Sequence, residues 1–323
     1  MGTAAGSGHG GGRSVVITGA TGGIGRATAV RLAARGWDVV GTARTRAKAD
    51  DLVGRAAASG IDLRAVVLDV ADADSCRQAV AQVEEMTGGG PWALVNNAGV
   101  PQAGALRDVD DERARHVLEV NLVGVMRLCR LTLPGMAERG SGRIVNVSSG
   151  LGRVPWPMGG WYSASKHALS ALTHCLRIET AHLGVKVCLV EPGAFATAML
   201  DRAVDDLARA RAGGAGPGSE RGPGLGYDRS TRLFSSVNRY VPGPEPVART
   251  IEHCLSARRP RPRCVVGHDA RLLVPLHTVL PLRLTDLVKH AAAGLPRAAA
   301  AVRAATTAQA AATVRAAADE GAS

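Results

Sequence analysis

Two rhythms of apolar and polar positions alternate along the chain. Short β-branched runs recur at residues 14–18 (SVVIT), 37–43 (WDVVGTA), 63–69 (LRAVVLD), 92–95, 143–147, 185–190 (VKVCLV) and 263–266. Each reads as a buried strand, because a continuous apolar run of this length bounded by turn residues suits a strand covered on both faces. Between them lie stretches with helical periodicity: from the glycine run at 18–25 to about Arg35, with Gly36 as a stop; 44–58; from Asp72, which can cap, to about Met86; 110–137; 161–183; and 246–257. Strands alternating with helices predict parallel pairing through right-handed crossovers. The expected fold class is therefore α/β, a single doubly wound parallel sheet of about seven strands with helices on both faces.

After Pro192-Gly193 the pattern loosens. Residues 199–212 read as a helix, and the Gly/Pro stretch 213–226 reads as a mobile loop within a substrate loop spanning about 196–240. From His268 onward leucines mix with arginines, as in a membrane-surface helix. Pro275 and Pro281 break any single long helix there, which favours packing over a pocket. The expected organisation is a flexible leader at 1–13, one domain at 14–267, and a helical C-terminal extension and Ala/Arg-rich tail at 268–323. The leader has neither a charged n-region nor an apolar h-region and reads as no signal peptide. No run of eighteen apolar residues occurs, so no transmembrane span is expected.

Composition narrows the function classes. The 323 residues carry 46% hydrophobic and 21% charged side chains, which is ordinary for a soluble domain. Aromatics at 3% leave little for base stacking, and no basic block or nucleic-acid module stands out. The net charge of +11 points to an anionic partner, which a phosphorylated cofactor or a membrane surface satisfies as well as DNA. Cys76, Cys129, Cys175, Cys188, Cys254 and Cys264 form no CxxC pair, and no histidine stands at finger spacing. They read as isolated reduced thiols of a cytoplasmic protein, with no metal site expected.

The chemistry gathers in residues 149–166 (SGLGRVPWPMGGWYSASK). Tyr162 and Lys166 stand four apart and share a helix face. A neighbouring cation lowers a phenol's pKa, which makes Tyr162 a proton carrier for a carbinol or carbonyl. Ser149, at the end of the strand before that helix, can hydrogen-bond a substrate oxygen. Near the chain start, TGATGGIG (18–25) lies between a strand and a helix. Gly19 allows the tight turn, and Gly23 and Gly25 admit close approach to a pyrophosphate at the helix N-terminus. The second strand ends in Ala43-Arg44 with no acid to bind a ribose 2′-hydroxyl; an arginine there accommodates the 2′-phosphate of NADP instead.

TGATGGIG, NNAG (96–99), Asn121, Ser149, YSASK (162–166) and PGAFAT (192–197) occur in one order. Together they resemble the short-chain dehydrogenase/reductase family, over residues 14 to about 200 and more weakly to about 267. The resemblance implies a single Rossmann-type domain, with Tyr162 as general acid/base and Ser149 positioning the substrate oxygen. Lys166 would hold the nicotinamide ribose and lower the Tyr162 pKa, and Asn121 would hold a water in a relay to Lys166. It further implies a cofactor bed of Gly19, Thr21, Gly22, Gly23, Ile24, Gly25, Arg44, Asp69, Val70, Asn97, Ala98, Gly99, Tyr162, Lys166, Pro192, Gly193 and Thr197. Gly22 departs from members that place serine or a basic residue there.

The Arg44 environment and the long C-terminal part are similar to 17β-hydroxysteroid and retinol dehydrogenases. That implies a lipophilic alcohol or ketone in a pocket whose mouth carries Trp156, Trp161, Phe195 and Met199, with Ser149, Trp156, Tyr162 and Phe195 meeting the substrate. The expected activity is NADP(H)-dependent hydride transfer, with NAD(H) as second choice, by a homodimer or homotetramer. The alternatives are a tailoring ketoreductase for a polyketide-like ketone and a non-catalytic dinucleotide sensor.

Overall fold

The structure is a computed structural model and describes residues 13–212 and 226–295. Nearly all of the leader, the Gly/Pro stretch at 213–225 and the tail from 296 lie outside the described residues. Seven strands form one sheet: β1 (Ser14–Ile17), β2 (Asp38–Ala43), β3 (Arg64–Val67), β4 (Ala93–Asn96), β5 (Gly142–Val147), β6 (Val185–Pro192) and β7 (Arg263–Val266). Every pairing is parallel, and the order is β3-β2-β1-β4-β5-β6-β7. The order reverses between β1 and β4, which opens a crevice beyond their carboxyl ends. This is the doubly wound, Rossmann-type arrangement expected from the alternation of strands and helices.

Both faces of the sheet are covered. Successive side chains on a strand point to opposite faces, so Val15, Ile17, Val39, Val95, Val145 and Val190 build one core with Leu32 of α1 (Gly23–Ala33), Leu52 of α2 (Arg46–Ala57) and Ile251 of α9 (Glu245–Ser256). Val16, Val40, Leu94, Ile144 and Val187 build the other. Their partners there are Val80 of α3 (Ala73–Thr87), Leu128 of α5 (Gly124–Glu138) and Leu169 of α6 (Gly160–Glu179). Local chemistry fixes the helix ends. Asp72 accepts from the Ser75 N–H at 2.7 Å, and Gly88 closes α3 in a left-handed conformation.

The helical stretch expected at 110–137 is divided. It consists of α4 (Asp111–Leu118), a π turn (Glu119–Val123) and α5 (Gly124–Glu138). The π turn carries Asn121, and such bulges concentrate at functional sites. Gly124 lies against the Val70 carbonyl, where a Cβ would collide with it. The helix from residue 161 begins one residue earlier, as α6 (Gly160–Glu179), and ends in a short 3-10 turn.

The expected 196–240 loop is largely helical among its described residues, with α7 (Ala198–Ala212) and α8 (Tyr227–Tyr240). After α9 (Glu245–Ser256) and β7 come α10 (His268–Val279) and α11 (Leu282–Ala293). Pro275 does not break α10. Pro275 and Arg271 are both exposed, so water can meet the carbonyl that the proline leaves unpaired. Pro281 does separate the two helices. Nor are all the cysteines isolated: the Cys254 and Cys264 sulfurs lie 3.8 Å apart between α9 and β7.

Candidate active site

The glycine turn after β1 sits at the switch point. Gly19 has φ +66° and Gly23 φ +51°, conformations that side-chain-bearing residues rarely adopt. Gly25 packs so closely that a Cβ would lie 2.5 Å from Asn97 Nδ2 and still nearer the Gly19 carbonyl oxygen. Asn97 ties the turn to β4, donating from Nδ2 to the Thr18 and Gly19 carbonyls at 2.9 and 3.3 Å. The Thr18 hydroxyl in turn accepts from the Asn97 and Ala98 N–H groups, both at 2.9 Å. The crevice is thus held open by β1–β4 cross-links, with the N-terminus of α1 facing it.

Arg44 and Lys48, both exposed, border the crevice at the end of β2. Arg46 is paired with Asp50 at 3.1 Å. No acid stands at that end of β2: its one carboxylate, Asp38, lies at the other end and pairs with Arg64. Asp69 and Val70 border the same side, and the Asp69 carboxylate accepts from the Ala71 N–H at 2.9 Å.

Ser149, Tyr162 and Lys166 meet where β5 gives way to α6. Ser149 caps a short 3-10 turn, accepting from the Leu151 N–H at 3.1 Å. Lys166 is buried and donates to the Val147 carbonyl at 3.0 Å, with Nζ 5.8 Å from the Tyr162 ring centroid. Burial lowers the Lys166 ammonium to about 8. Burial also raises the Tyr162 phenol, and the group that opposes it is the Ser149 hydroxyl. In this arrangement the Lys166 ammonium is turned onto the Val147 carbonyl rather than onto the phenol.

Asn121 is fully buried behind this set. Its Oδ1 accepts from the Val100 N–H at 2.9 Å, while Nδ2 donates to the Val100 carbonyl at 3.0 Å and the Ser165 hydroxyl at 3.1 Å. It pins the loop after β4 to α6. A Cβ at Gly99 would touch both Asn121 Oδ1 and Lys166 Nζ, at 3.2 and 3.8 Å.

These groups open onto one cavity of about 550 Å³. It is bordered by Gly19, Thr21, Gly22, Gly23, Ile24, Asn97, Ala98, Gly99, Ser149, Tyr162, Lys166, Pro192, Gly193 and Thr197 of the sequence-derived set, and by Trp156, Phe195 and Met199. Gly25 and Asn121 lie behind its wall. Trp161 does not border it; the Trp161 N–H donates to Gln102 Oε1 at 3.1 Å instead.

Other lining residues were not foreseen. Gln102, His116, Met158, Phe234, Leu273 and Val274 come from five separate segments that only the fold brings together. Met158 is the one non-glycine described residue with positive φ, at 66°, a strained conformation of the kind that gathers at functional sites. Asp269, at the start of α10, accepts from the Ala194 N–H at 2.7 Å and holds the loop after β6. An acid in the first turn of a helix is the signal that could have found it.

Residues 13–208 match the family model for short chain dehydrogenase. Among curated relatives, 17-beta-hydroxysteroid dehydrogenase type 6 of Rattus norvegicus is 36% identical over 278 residues, covering 84% of this chain and 86% of that protein. Retinol dehydrogenase 5 of Homo sapiens is 35% identical over 298 residues, covering 89% and 90%. Among solved structures, a short-chain dehydrogenase/reductase from Burkholderia phymatum in complex with NAD has a TM-score of 0.70 at 27% identity, covering 85% of this chain and 94% of that one. A metagenomic short-chain oxidoreductase in complex with NADP has a TM-score of 0.60 at 25% identity, covering 79% and 96%.

Proposed function

This chain belongs to the short-chain dehydrogenase family, and on that premise we propose that it interconverts a lipophilic secondary alcohol and its ketone with NADP(H), using Tyr162 as acid/base. The observation that carries the reading is the convergence of Ser149, Tyr162 and Lys166 on one wall of a cavity whose lining also includes the apolar Val154, Trp156, Met158, Phe195, Phe234 and Leu273, with Gln102 and His116 among its polar groups. An apolar cavity with a few convergent polar groups suits a lipophilic substrate better than a polar polyketide-like ketone. A dinucleotide sensor would have no need of all three polar groups.

The residues present fit a nicotinamide dinucleotide. Gly19, Gly22 and Gly23 border the crevice without side chains, which lets backbone approach a pyrophosphate, and α1 offers its N-terminal amides. Arg44 and Lys48 suit a 2′-phosphate. The solved relatives include complexes with either NAD or NADP, so the preference for NADP rests on these two cations and on the missing acid.

When bound, the cofactor supplies or accepts hydride. The chain's own part is proton handling and orientation. In reduction, the Tyr162 phenol donates its proton to the substrate oxygen, and in oxidation the phenolate takes it back. Ser149, on the same wall of the cavity, fixes the same oxygen. Lys166 would hold the nicotinamide ribose, and on leaving the Val147 carbonyl to do so its ammonium would bear on the phenol. We further assign the protein to the cytoplasm.

The test follows consumption of NADPH or NADH spectrophotometrically with steroid, retinoid and small polar ketones, in wild type and Tyr162→Phe. NADPH-dependent turnover of lipophilic ketones is expected, falling by roughly 10²–10⁴-fold in the variant while NADPH affinity stays within about threefold. Wild-type-like turnover in Tyr162→Phe would remove Tyr162 from the role. NADPH binding without turnover of any ketone would favour the sensor.

A further inference from the structure

The helices α10 and α11 are inside out. In α11 the buried stripe is Thr285, Lys289 and Ala293, while Leu282, Leu284, Leu287 and Val288 are exposed. Burial pulls the Lys289 ammonium below its ordinary pKa, with Asp286 opposing. In α10, Ala270 and Val274 face the protein together with His277, whose Nδ1 is buried without a partner. Leu272, Leu273, Leu276 and Val279 face outward, Val279 with 81% of its surface exposed. Half of the sixteen large apolar side chains exposed among the described residues thus sit on two twelve-residue helices. Such a concentration of exposed apolar side chains on consecutive helices marks an interaction surface.

Three observations identify its occupant. First, α10 is shared with the cavity: Ala270, Leu273 and Val274 line it, and Leu273 is also exposed, which places it at the rim. Second, the rim is basic. Arg271 and Arg283 on these helices and Arg229, Arg232 and Arg239 on the adjoining α8 are all exposed, against Asp228, Asp269 and Asp286 as exposed acids; the whole chain carries +11. Third, no described helix is long and apolar enough to cross a membrane. An apolar face edged by arginines on short helices is the pattern of a helix lying in the interface plane, where arginines keep their heads among phosphates.

We propose that α10 and α11 form a docking face for the surface of an anionic lipid bilayer, which sets the Leu273 rim of the cavity against the membrane. A lipophilic substrate then enters from the lipid phase rather than from water.

Full-length protein is sedimented with phosphatidylcholine vesicles, with and without phosphatidylglycerol, alongside Leu276→Glu and Leu287→Glu. Both positions are exposed and neither lines the cavity, so the fold and the turnover of a water-soluble ketone are expected to be unchanged. Binding to the phosphatidylglycerol vesicles is expected. It should weaken with added salt and on phosphatidylcholine alone, and fall roughly tenfold in each variant. No sedimentation with either vesicle overturns the proposal, and so does binding that both variants retain. A dimer that either variant splits, without vesicle binding, assigns the face to a second copy instead. Sedimentation is read without substrate, so its failure is distinct from a failure of the oxidoreductase reading.

Discussion

The Met199 thioether sulfur lies 3.8 Å from the Tyr162 phenol oxygen, so the first turn of α7 covers the proposed acid/base. The same side chain reaches Gly99, where its Cε would be 3.4 Å from an added Cβ. It therefore occupies space beside the phenol where the bulk of a ketone must lie. Methionine yields readily, having three rotatable bonds. Met199→Ala is expected to raise kcat/KM for bulky ketones several-fold relative to small ones, roughly tenfold at most. Steady-state kinetics on a size-graded ketone series reads this ratio; an unchanged ratio would show that Met199 leaves the substrate path on its own.

Lys166 makes the stability of the cofactor-free protein depend on alkaline pH. Its ammonium is buried and titrates near 8, against 10.5 for the free side chain. Below about pH 8 both folded and unfolded chains hold the proton, and the folded state bears the full cost of the buried charge. Between about 8 and 10.5 the unfolded chain binds more protons, so stability rises with pH. The gain is on the order of 3 kcal/mol. Urea unfolding of wild type and Lys166→Met across this window should show the variant's advantage shrinking as pH rises. A constant difference would mean that the ammonium is not desolvated.

Cofactor preference turns on Arg44. It is exposed at the end of β2, beside Lys48, with no carboxylate there to hold a ribose hydroxyl. Arg44→Asp removes a cation from a phosphate and supplies the missing acid. The expected result is a loss in kcat/KM for NADPH of roughly 10–100-fold, as one charge-assisted contact warrants, together with a gain for NADH. A variant that keeps its NADPH preference would shift the assignment to Lys48 or Arg46.

Most of the sheet was legible in the sequence, because strands buried on both faces must be apolar throughout and glycine must follow the first of them. The proximity of Ser149, Tyr162 and Lys166 was legible for a similar reason: a strand end and the first turn of the next helix are adjacent in any such crossover. Asn121 was legible as a residue, but its π turn was not, since a single extra residue in a helical turn leaves the apolar periodicity almost intact. Asp269 was readable only as an acid opening a helix; its contact with Ala194, 75 positions away, was not. The inversion of α11 was hidden by its own spacing. Leu284, Leu287 and Val288 have the spacing of a core stripe, and only packing shows that Thr285, Lys289 and Ala293 take the inner side.

The glycine run offers the sharpest contrast between neighbours. Gly22 has φ −165° and nothing within 4 Å of a Cβ, so a small side chain meets no clash at its first atom. Gly25 sits where a Cβ would penetrate the Gly19 carbonyl and the Asn97 amide, both parts of the β1–β4 cross-link. Gly22→Ser is therefore expected to fold normally. Its hydroxyl stands at the N-cap of α1, so NADPH affinity should stay level or rise by a few-fold, as one added hydrogen bond allows. Gly25→Ala must push α1 away from β1 and unseat Asn97, costing roughly 1–3 kcal/mol as an overpacked core does. It should also weaken NADPH binding by more than tenfold, because the amides facing the pyrophosphate move with the helix. Thermal melts and fluorescence titration with NADPH separate the two variants; equal behaviour would mean that the turn at 19–25 is loose enough to absorb a methyl group, and the close-approach argument for the cofactor bed would fall with it.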